Sequence, residues 1–108
     1  KIGTDGDFIT APTLTPLCGQ TLARQLAELL PQTAGNIYEF GAGTGHLAAT
    51  LLKSLSDDLK HYYIIELSPE LAERQRQFIA EHTPPQLAQK VIHLTELPES
   101  FDGIIIGN

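Results

Sequence analysis

The stretch Glu39-Phe40-Gly41-Ala42-Gly43-Thr44-Gly45 decides the fold of this chain. It follows a short segment, 36–40, whose composition predicts a strand, and it precedes a helical pattern of Leu and Ala at 47–55. Glycines suit such a turn because they adopt positive φ angles and let the backbone approach a ligand closely. Three glycines at alternate positions exceed what a tight turn alone requires, which indicates a ligand site.

The rest of the chain alternates between strand and helix patterns. Further strands are predicted at 61–67, 90–94 and 101–108. A helix is expected from Ser68-Pro69, where Ser can cap the free amides, to the break at Thr83-Pro84-Pro85.

Upstream of the glycine turn, Thr15-Pro16 predicts the start of a helix that Pro31 ends, and residues 1–13 predict a loop. Strands that alternate with helices imply parallel pairing through right-handed crossovers. The predicted fold class is therefore α/β, with a partial parallel sheet of four strands in the order 3-2-1-4 and flanking helices.

The predicted last strand, 101–108, forms an uncovered edge of the predicted sheet. It is apolar and lies at one edge of the predicted sheet, where nothing is expected to cover it. We therefore expect residues 1–108 to be the N-terminal, cofactor-binding part of a longer domain. An exposed edge of this kind predicts self-association.

The composition excludes several classes of protein. The 7 Lys and Arg residues are scattered and outnumbered by 13 Asp and Glu residues, which argues against nucleic-acid binding. No apolar run approaches the length of a membrane span. The single cysteine excludes a disulfide scaffold, and the four histidines show no metal-ligand spacing, so no metal site is predicted.

Two acidic residues bear on the choice of ligand. Glu39 would repel a pyrophosphate and suits a cationic ligand such as the ammonium group of S-adenosylmethionine, and His46 stands where a dinucleotide-binding turn has its third glycine. Glu66 follows the second predicted strand by the spacing at which an acid accepts ribose hydroxyls. Because both NAD and S-adenosylmethionine contain ribose, Glu66 indicates a nucleoside without choosing between them.

These motifs resemble those of class I S-adenosylmethionine-dependent methyltransferases, which have a Rossmann-like fold. The opening segment, Gly6-Asp7-Phe8-Ile9-Thr10-Ala11-Pro12, is similar to the signature of the MidA-like family, which includes the mitochondrial methyltransferase of respiratory complex I assembly. The segments Glu66–Leu71 and Ile104–Asn108 also resemble that family, and the resemblance covers essentially the whole chain.

The resemblance implies S-adenosyl-L-methionine as cofactor and a protein arginine as methyl acceptor. By the same resemblance, Glu39 would lie near the cofactor's amino group and Glu66 at its ribose. The remaining residues of the site would be Gly41, Gly43 and Gly45 at the methionine and ribose, Glu96 and Leu97 near adenine, and Thr10 and Asn108 on the substrate side. Because an arginine must lose a proton when it is methylated, a carboxylate is expected as the acceptor, and Asp7 is the candidate catalytic residue.

Two other functions stay open at this point. One is an NAD-dependent oxidoreductase, and the other is a methyltransferase-like assembly module without catalysis. The expected location is the bacterial cytoplasm, or the mitochondrial matrix if the protein is eukaryotic.

Overall fold

The chain forms a five-stranded parallel sheet with helices packed against one face. The computed structural model describes the backbone of residues 6–10 and 16–107, and the side chains of residues 19–107. The strands are β1 (Gly6–Thr10), β2 (Asn36–Phe40), β3 (His61–Ile65), β4 (Val91–Leu94) and β5 (Gly103–Gly107). The helices are α1 (Pro16–Leu29), α2 (His46–Leu55), α3 (Pro69–His82) and α4 (Pro85–Ala88), with 3₁₀ turns at Leu30–Gln32 and Ser56–Asp58.

The strand order is β1-β5-β2-β3-β4, and every pairing is parallel. Four of these strands are the predicted ones, and their order confirms the predicted 3-2-1-4 arrangement. The chain runs outward from β2 to β3 and β4, and then returns to place β5 on the other side of β2. Ligands of open α/β sheets bind where the strand order reverses in this way, at the carboxyl ends of the strands.

The prediction of a loop at residues 1–13 is wrong for residues 6–10. These residues form β1, which pairs with β5 from Gly6 opposite Gly103 to Thr10 opposite Gly107. The Gly, Asp and Pro residues of the segment favour a loop, but Phe8, Ile9 and Thr10 are of strand-favouring types, and pairing with β5 makes residues 6–10 a strand. The predicted exposed edge on the last strand is also wrong, because β5 lies between β1 and β2.

The main hydrophobic core lies between the sheet and the helices. Leu26 of α1 and Leu51 and Leu52 of α2 are fully buried against Ile37 and Ile104 of the sheet. On the opposite face, Tyr38 stacks on Tyr63 with ring centroids 4.6 Å apart. Both faces of the central strands are therefore apolar, as expected of a parallel sheet.

The ends of the elements follow their capping residues closely. The Ser68 hydroxyl accepts a hydrogen bond from the Leu71 amide at 3.2 Å, which confirms the predicted start of α3. The α-helical part of α1 ends at Leu29, and Pro31 lies within the 3₁₀ turn that follows. The predicted cap at Thr15 falls outside the described residues, and Pro85 begins the short helix α4, which the sequence did not predict.

Strand β3 ends at Ile65 rather than at the predicted Leu67. Glu66 and Leu67 therefore belong to the loop that follows the carboxyl end of β3. Within residues 6–10 and 16–107, no helix combines the length and apolar character needed to cross a membrane.

Candidate functional site

The glycine turn between β2 and α2 requires positive φ at each of its three glycines. The φ angles are 68° at Gly41, 56° at Gly43 and 97° at Gly45. The Gly45 amide donates to the Ala42 carbonyl at 3.0 Å, and Gly45 is the N-cap residue of α2, in the left-handed conformation. Alternating left-handed residues fold the chain tightly between strand and helix and leave the backbone open to a ligand.

A cavity of about 430 Å³ lies beside this turn, at the carboxyl ends of β2 and β3 and the loop after β4. Four residues predicted to bind a cofactor line it: Gly41, Glu66, Glu96 and Leu97. They come from three separate loops, so the fold rather than the local sequence brings them together. The cavity is completed by Phe40, Ile65, Leu67 and Thr95.

Glu66 is held in one orientation by two hydrogen bonds. Its Oε2 accepts from the Ser68 amide at 3.1 Å, and its Oε1 accepts from the Gln75 side-chain amide at 2.9 Å. The Gln75 and Ser68 hydrogen bonds hold the pKa of Glu66 below its ordinary value. The group is therefore a carboxylate at neutral pH, and as a pure acceptor it suits a pair of hydroxyl donors.

Gln75 is a site residue that sequence reasoning missed. It is fully buried on α3. Besides Glu66, it donates to the Gly43 carbonyl at 3.0 Å. Its Oε1 lies 2.9 Å from Nε2 of His93 on β4. A long polar residue on the apolar face of a helix was the available signal.

His93, one of the four histidines without metal-ligand spacing, belongs to this hydrogen-bond network. Burial lowers the pKa of His93, with Arg76 adding to the effect, so the ring is neutral at pH 7. Because the Gln75 oxygen can only accept, the neutral ring carries its proton on Nε2.

Glu39 lies at the end of β2, but on the helix side of the sheet. It is 2% exposed, and its Oε1 accepts a hydrogen bond of 2.7 Å from the Tyr62 hydroxyl. Burial raises the pKa of Glu39 to about 7, against the opposing effect of the Tyr62 hydrogen bond. Glu39 does not line the cavity that holds Glu66.

The other two glycines play different structural roles. A Cβ at Gly43 would meet nothing within 4 Å, so its side faces open space. A Cβ at Gly45 would lie 3.4 Å from both the Gln75 carbonyl and Ile79. Gly45 thus permits close packing of the turn against α3, whereas Gly43 leaves room beside the backbone.

The remaining predicted residues are not brought into this group. The register places Asp7 level with Ile104 and Ile37, near the amino end of the sheet, and Thr10 at the carboxyl end opposite Gly107. At about 3.3 Å per residue, Asp7 is about 10 Å from that edge. Asn108 lies outside the described residues, and the roles assigned to all three stay predictions.

A second cavity, of about 390 Å³, lies between α3, α4 and β4. Its walls are mainly apolar, with Ile79, Ala80, Pro85 and Val91 among them, and Arg76 at its rim. None of the predicted site residues lines it, and it is not at the carboxyl ends of the strands. The cavity beside the glycine turn is therefore the candidate functional site.

Comparison with known proteins gives a family match over most of the chain. The model of a family described as "putative S-adenosyl-L-methionine-dependent methyltransferase" matches residues 19–108. A search of curated proteins gives no significant match.

Two solved structures from Burkholderia thailandensis are similar to the chain. One is an uncharacterised protein with 46% identity and a TM-score of 0.78, covering 93% of this chain and 28% of its own length. The other, bound to S-adenosylhomocysteine, has 47% identity and a TM-score of 0.77, covering 94% of this chain and 27% of its own. This chain therefore spans little more than a quarter of the length of either structure.

A more distant likeness concerns the fold alone. An O-methyltransferase of tomaymycin synthesis from Streptomyces achromogenes, in complex with S-adenosylmethionine, has 21% identity and a TM-score of 0.58. The match covers 89% of this chain and 35% of that one. The parallel sheet described above thus has a Rossmann-like fold.

Proposed function

Because this chain belongs to the class I S-adenosylmethionine-dependent methyltransferases of the MidA-like family, we propose that it supplies the cofactor-binding part of a methyltransferase. The single observation that carries the proposal is the convergence of Gly41, Glu66, Glu96 and Leu97 on one cavity beside the glycine turn. The S-adenosylhomocysteine bound by the relative with 47% identity supports the choice of ligand.

The residues present fit this cofactor group by group. The Glu66 carboxylate, ionised and already oriented, would accept hydrogen bonds from the two ribose hydroxyls. Leu97 and Phe40 offer apolar surface to the adenine ring, with Glu96 at the same end of the cavity. Gly43 would let the methionine portion approach the backbone, since no side chain fills that space.

Glu39 would act on the cofactor's ammonium group from beneath the turn. Its pKa of about 7 means that the ligand-free site holds the proton over part of the physiological range. A nearby cation favours the charged form of a carboxyl group. We therefore expect binding of the ammonium group to lower the pKa of Glu39 and to release a proton near neutral pH.

Bound S-adenosylmethionine supplies a methyl group on a sulfonium, which is already a good leaving group. The chain's own residues have to hold the cofactor in one orientation and exclude water from it. An arginine acceptor must also lose a proton during methylation. We retain Asp7 as the proposed proton acceptor, although the strand register, with Asp7 near the amino end of the sheet, does not support that role.

The substrate, partners and location are proposed on the family resemblance. We propose a protein arginine as methyl acceptor, a link to respiratory complex assembly, and the bacterial cytoplasm as the compartment. The bacterial source of the two similar structures favours the bacterial alternative over the mitochondrial matrix.

The test of the function is methyl transfer by the complete protein. The purified protein is incubated with S-adenosylmethionine labelled in the methyl group and with an extract of cells from which this protein has been deleted. Labelled methylarginine in one or a few proteins, absent with Glu66→Ala, is the expected result. Label at a residue other than arginine would overturn the acceptor. Cofactor binding without any transfer would favour the non-catalytic assembly module.

A further inference from the structure

Gln75 connects the two halves of the proposed cofactor site. The glycine turn contributes the Gly43 carbonyl, and the loop after β3 contributes the Glu66 carboxylate. Both accept from the same side-chain nitrogen of Gln75, at 3.0 and 2.9 Å. Gln75 itself is fully buried on α3, whereas the Glu66 carboxylate that it contacts is half-buried.

The Gly43 and Glu66 oxygens fix which way the Gln75 amide faces, and His93 completes its hydrogen bonds. The His93 Nε2–H donates to the Gln75 oxygen at 2.9 Å, so both amide hydrogens and the oxygen are satisfied. Among the residues whose side chains are described, no buried polar atom lacks a partner. A flipped amide would turn its oxygen toward the Gly43 and Glu66 oxygens and its hydrogens toward His93, so the observed orientation is strongly preferred.

We propose that Gln75 is a positioning residue that orients the Glu66 carboxylate for the ribose hydroxyls of the cofactor, with Gly43 and His93 as its anchors. The inference rests on the proposed function and extends it to residues that do not line the cavity. An oriented carboxylate loses less conformational freedom when a ligand binds, which raises affinity. The hydrogen bond from Gln75 to a charged group is also of the stronger kind.

The decisive test is a double-mutant cycle on binding of S-adenosylhomocysteine to the complete protein. The cycle compares the unaltered protein, Gln75→Met, Glu66→Ala and the double variant, by calorimetric titration. Gln75→Met keeps the length and apolar stem of the side chain while removing its three hydrogen bonds. Because Gln75→Met removes a hydrogen bond to the charged Glu66, we expect it to weaken binding of S-adenosylhomocysteine at least about tenfold.

In the Glu66→Ala background, Gln75→Met is expected to weaken binding of S-adenosylhomocysteine less than about threefold, because the carboxylate that Gln75 positions is already absent. Equal losses in both backgrounds would overturn the inference, since a general effect on the fold is additive. Gln77→Met is the matched control, as Gln77 is exposed on the same helix. It is expected to leave binding unchanged.

A measurement without ligand keeps the inference testable if Gln75→Met binds nothing. The Glu66 carboxyl is titrated by NMR in the ligand-free protein, folded at every pH used. His93 from β4 and Glu96 from the next loop are the titratable groups near it, and Glu73 and Arg76 of α3 act on His93. Because Gln75 favours the charged form, Gln75→Met should raise the pKa of Glu66 and move the acid limit of ligand binding to higher pH.

An unchanged Glu66 titration in Gln75→Met would overturn the positioning role. Failure of the unaltered protein to bind S-adenosylhomocysteine would instead overturn the proposed function. The two failures are therefore distinguishable.

Discussion

At the scale of single residues, two carboxyl groups at the ends of neighbouring strands are held in opposite states. Glu66 receives an amide hydrogen bond at each oxygen and stays ionised. Glu39 is buried with one hydroxyl donor, and its pKa rises to about 7. Both residues are glutamates, so their different surroundings set their different states. Glu66 is ready to accept hydrogen bonds from hydroxyl groups, whereas the charge of Glu39 can respond to a nearby cation.

The raised pKa of Glu39 predicts a pH-dependent stability. The unfolded carboxyl titrates near its ordinary value of 4.5, so the folded state binds the proton more tightly. The contribution of the protonated Glu39 to the unfolding free energy is fully present below pH 4.5 and is lost as pH rises through about 7. The total loss is on the order of 3 kcal/mol. Relative to Glu39→Gln, the unaltered protein should lose unfolding free energy over that range in urea titrations.

A constant difference between the two proteins from pH 4 to pH 8 would contradict this raised pKa. Glu81→Gln is the control, since Glu81 is exposed on α3 and is expected to show no such trend.

Two glycines of the turn predict separable effects. Gly45→Ala forces a Cβ into a left-handed position 3.4 Å from the Gln75 carbonyl and Ile79, and should destabilise the protein by more than about 1 kcal/mol. Gly43→Ala meets no atom within 4 Å and should cost less stability while weakening cofactor binding. Thermal unfolding and ligand titration of both variants check this order, and a reversed order of stability would refute it.

At the scale of elements, α3 shows what the sequence could and could not predict. Its bounds followed from Ser68-Pro69 and from Thr83-Pro84, because capping and proline chemistry are local. The role of Gln75 did not follow, because its three partners lie on the glycine turn, the loop after β3 and strand β4. Local periodicity places a residue on a face of a helix but does not identify its partners across the fold.

The cap of α3 gives a prediction at this scale. Ser68→Ala removes the hydrogen bond to the Leu71 amide and should lower the unfolding free energy by about 1 kcal/mol. Ser54→Ala, at an exposed position near the end of α2, is the control and should not destabilise the protein. Equal effects of the two substitutions in denaturant titrations would show that the cap contributes nothing specific.

At the scale of the whole molecule, β1 is the element that the sequence concealed. The order of the other four strands followed from alternating strands and helices, because crossover connections restrict the topology. Strand β1 lies in a segment rich in Gly, Asp, Thr and Pro, and its partner β5 is about 95 residues away in the sequence. Only the assembled sheet shows that residues 6–10 pair with β5.

The sequence predicts self-association through an exposed edge of the last strand, β5, but β1 covers that edge. With β1 in place, β5 is paired on both sides. Deleting residues 1–10 would expose the backbone of β5 and should lower the melting temperature and cause association, measured by sedimentation velocity. Deleting residues 1–5 alone keeps β1 and is the control. A shortened chain that stays monomeric and equally stable would show that β1 is not required.

The central claim is that the glycine turn and Glu66 form an S-adenosylmethionine site. Its most direct test is calorimetric titration of S-adenosylhomocysteine into the complete protein, beside NADH and beside the Glu66→Ala variant. We expect binding of S-adenosylhomocysteine, no binding of NADH, and a loss of at least about tenfold in affinity on removal of the carboxylate. Binding of NADH with no response to S-adenosylhomocysteine would contradict it.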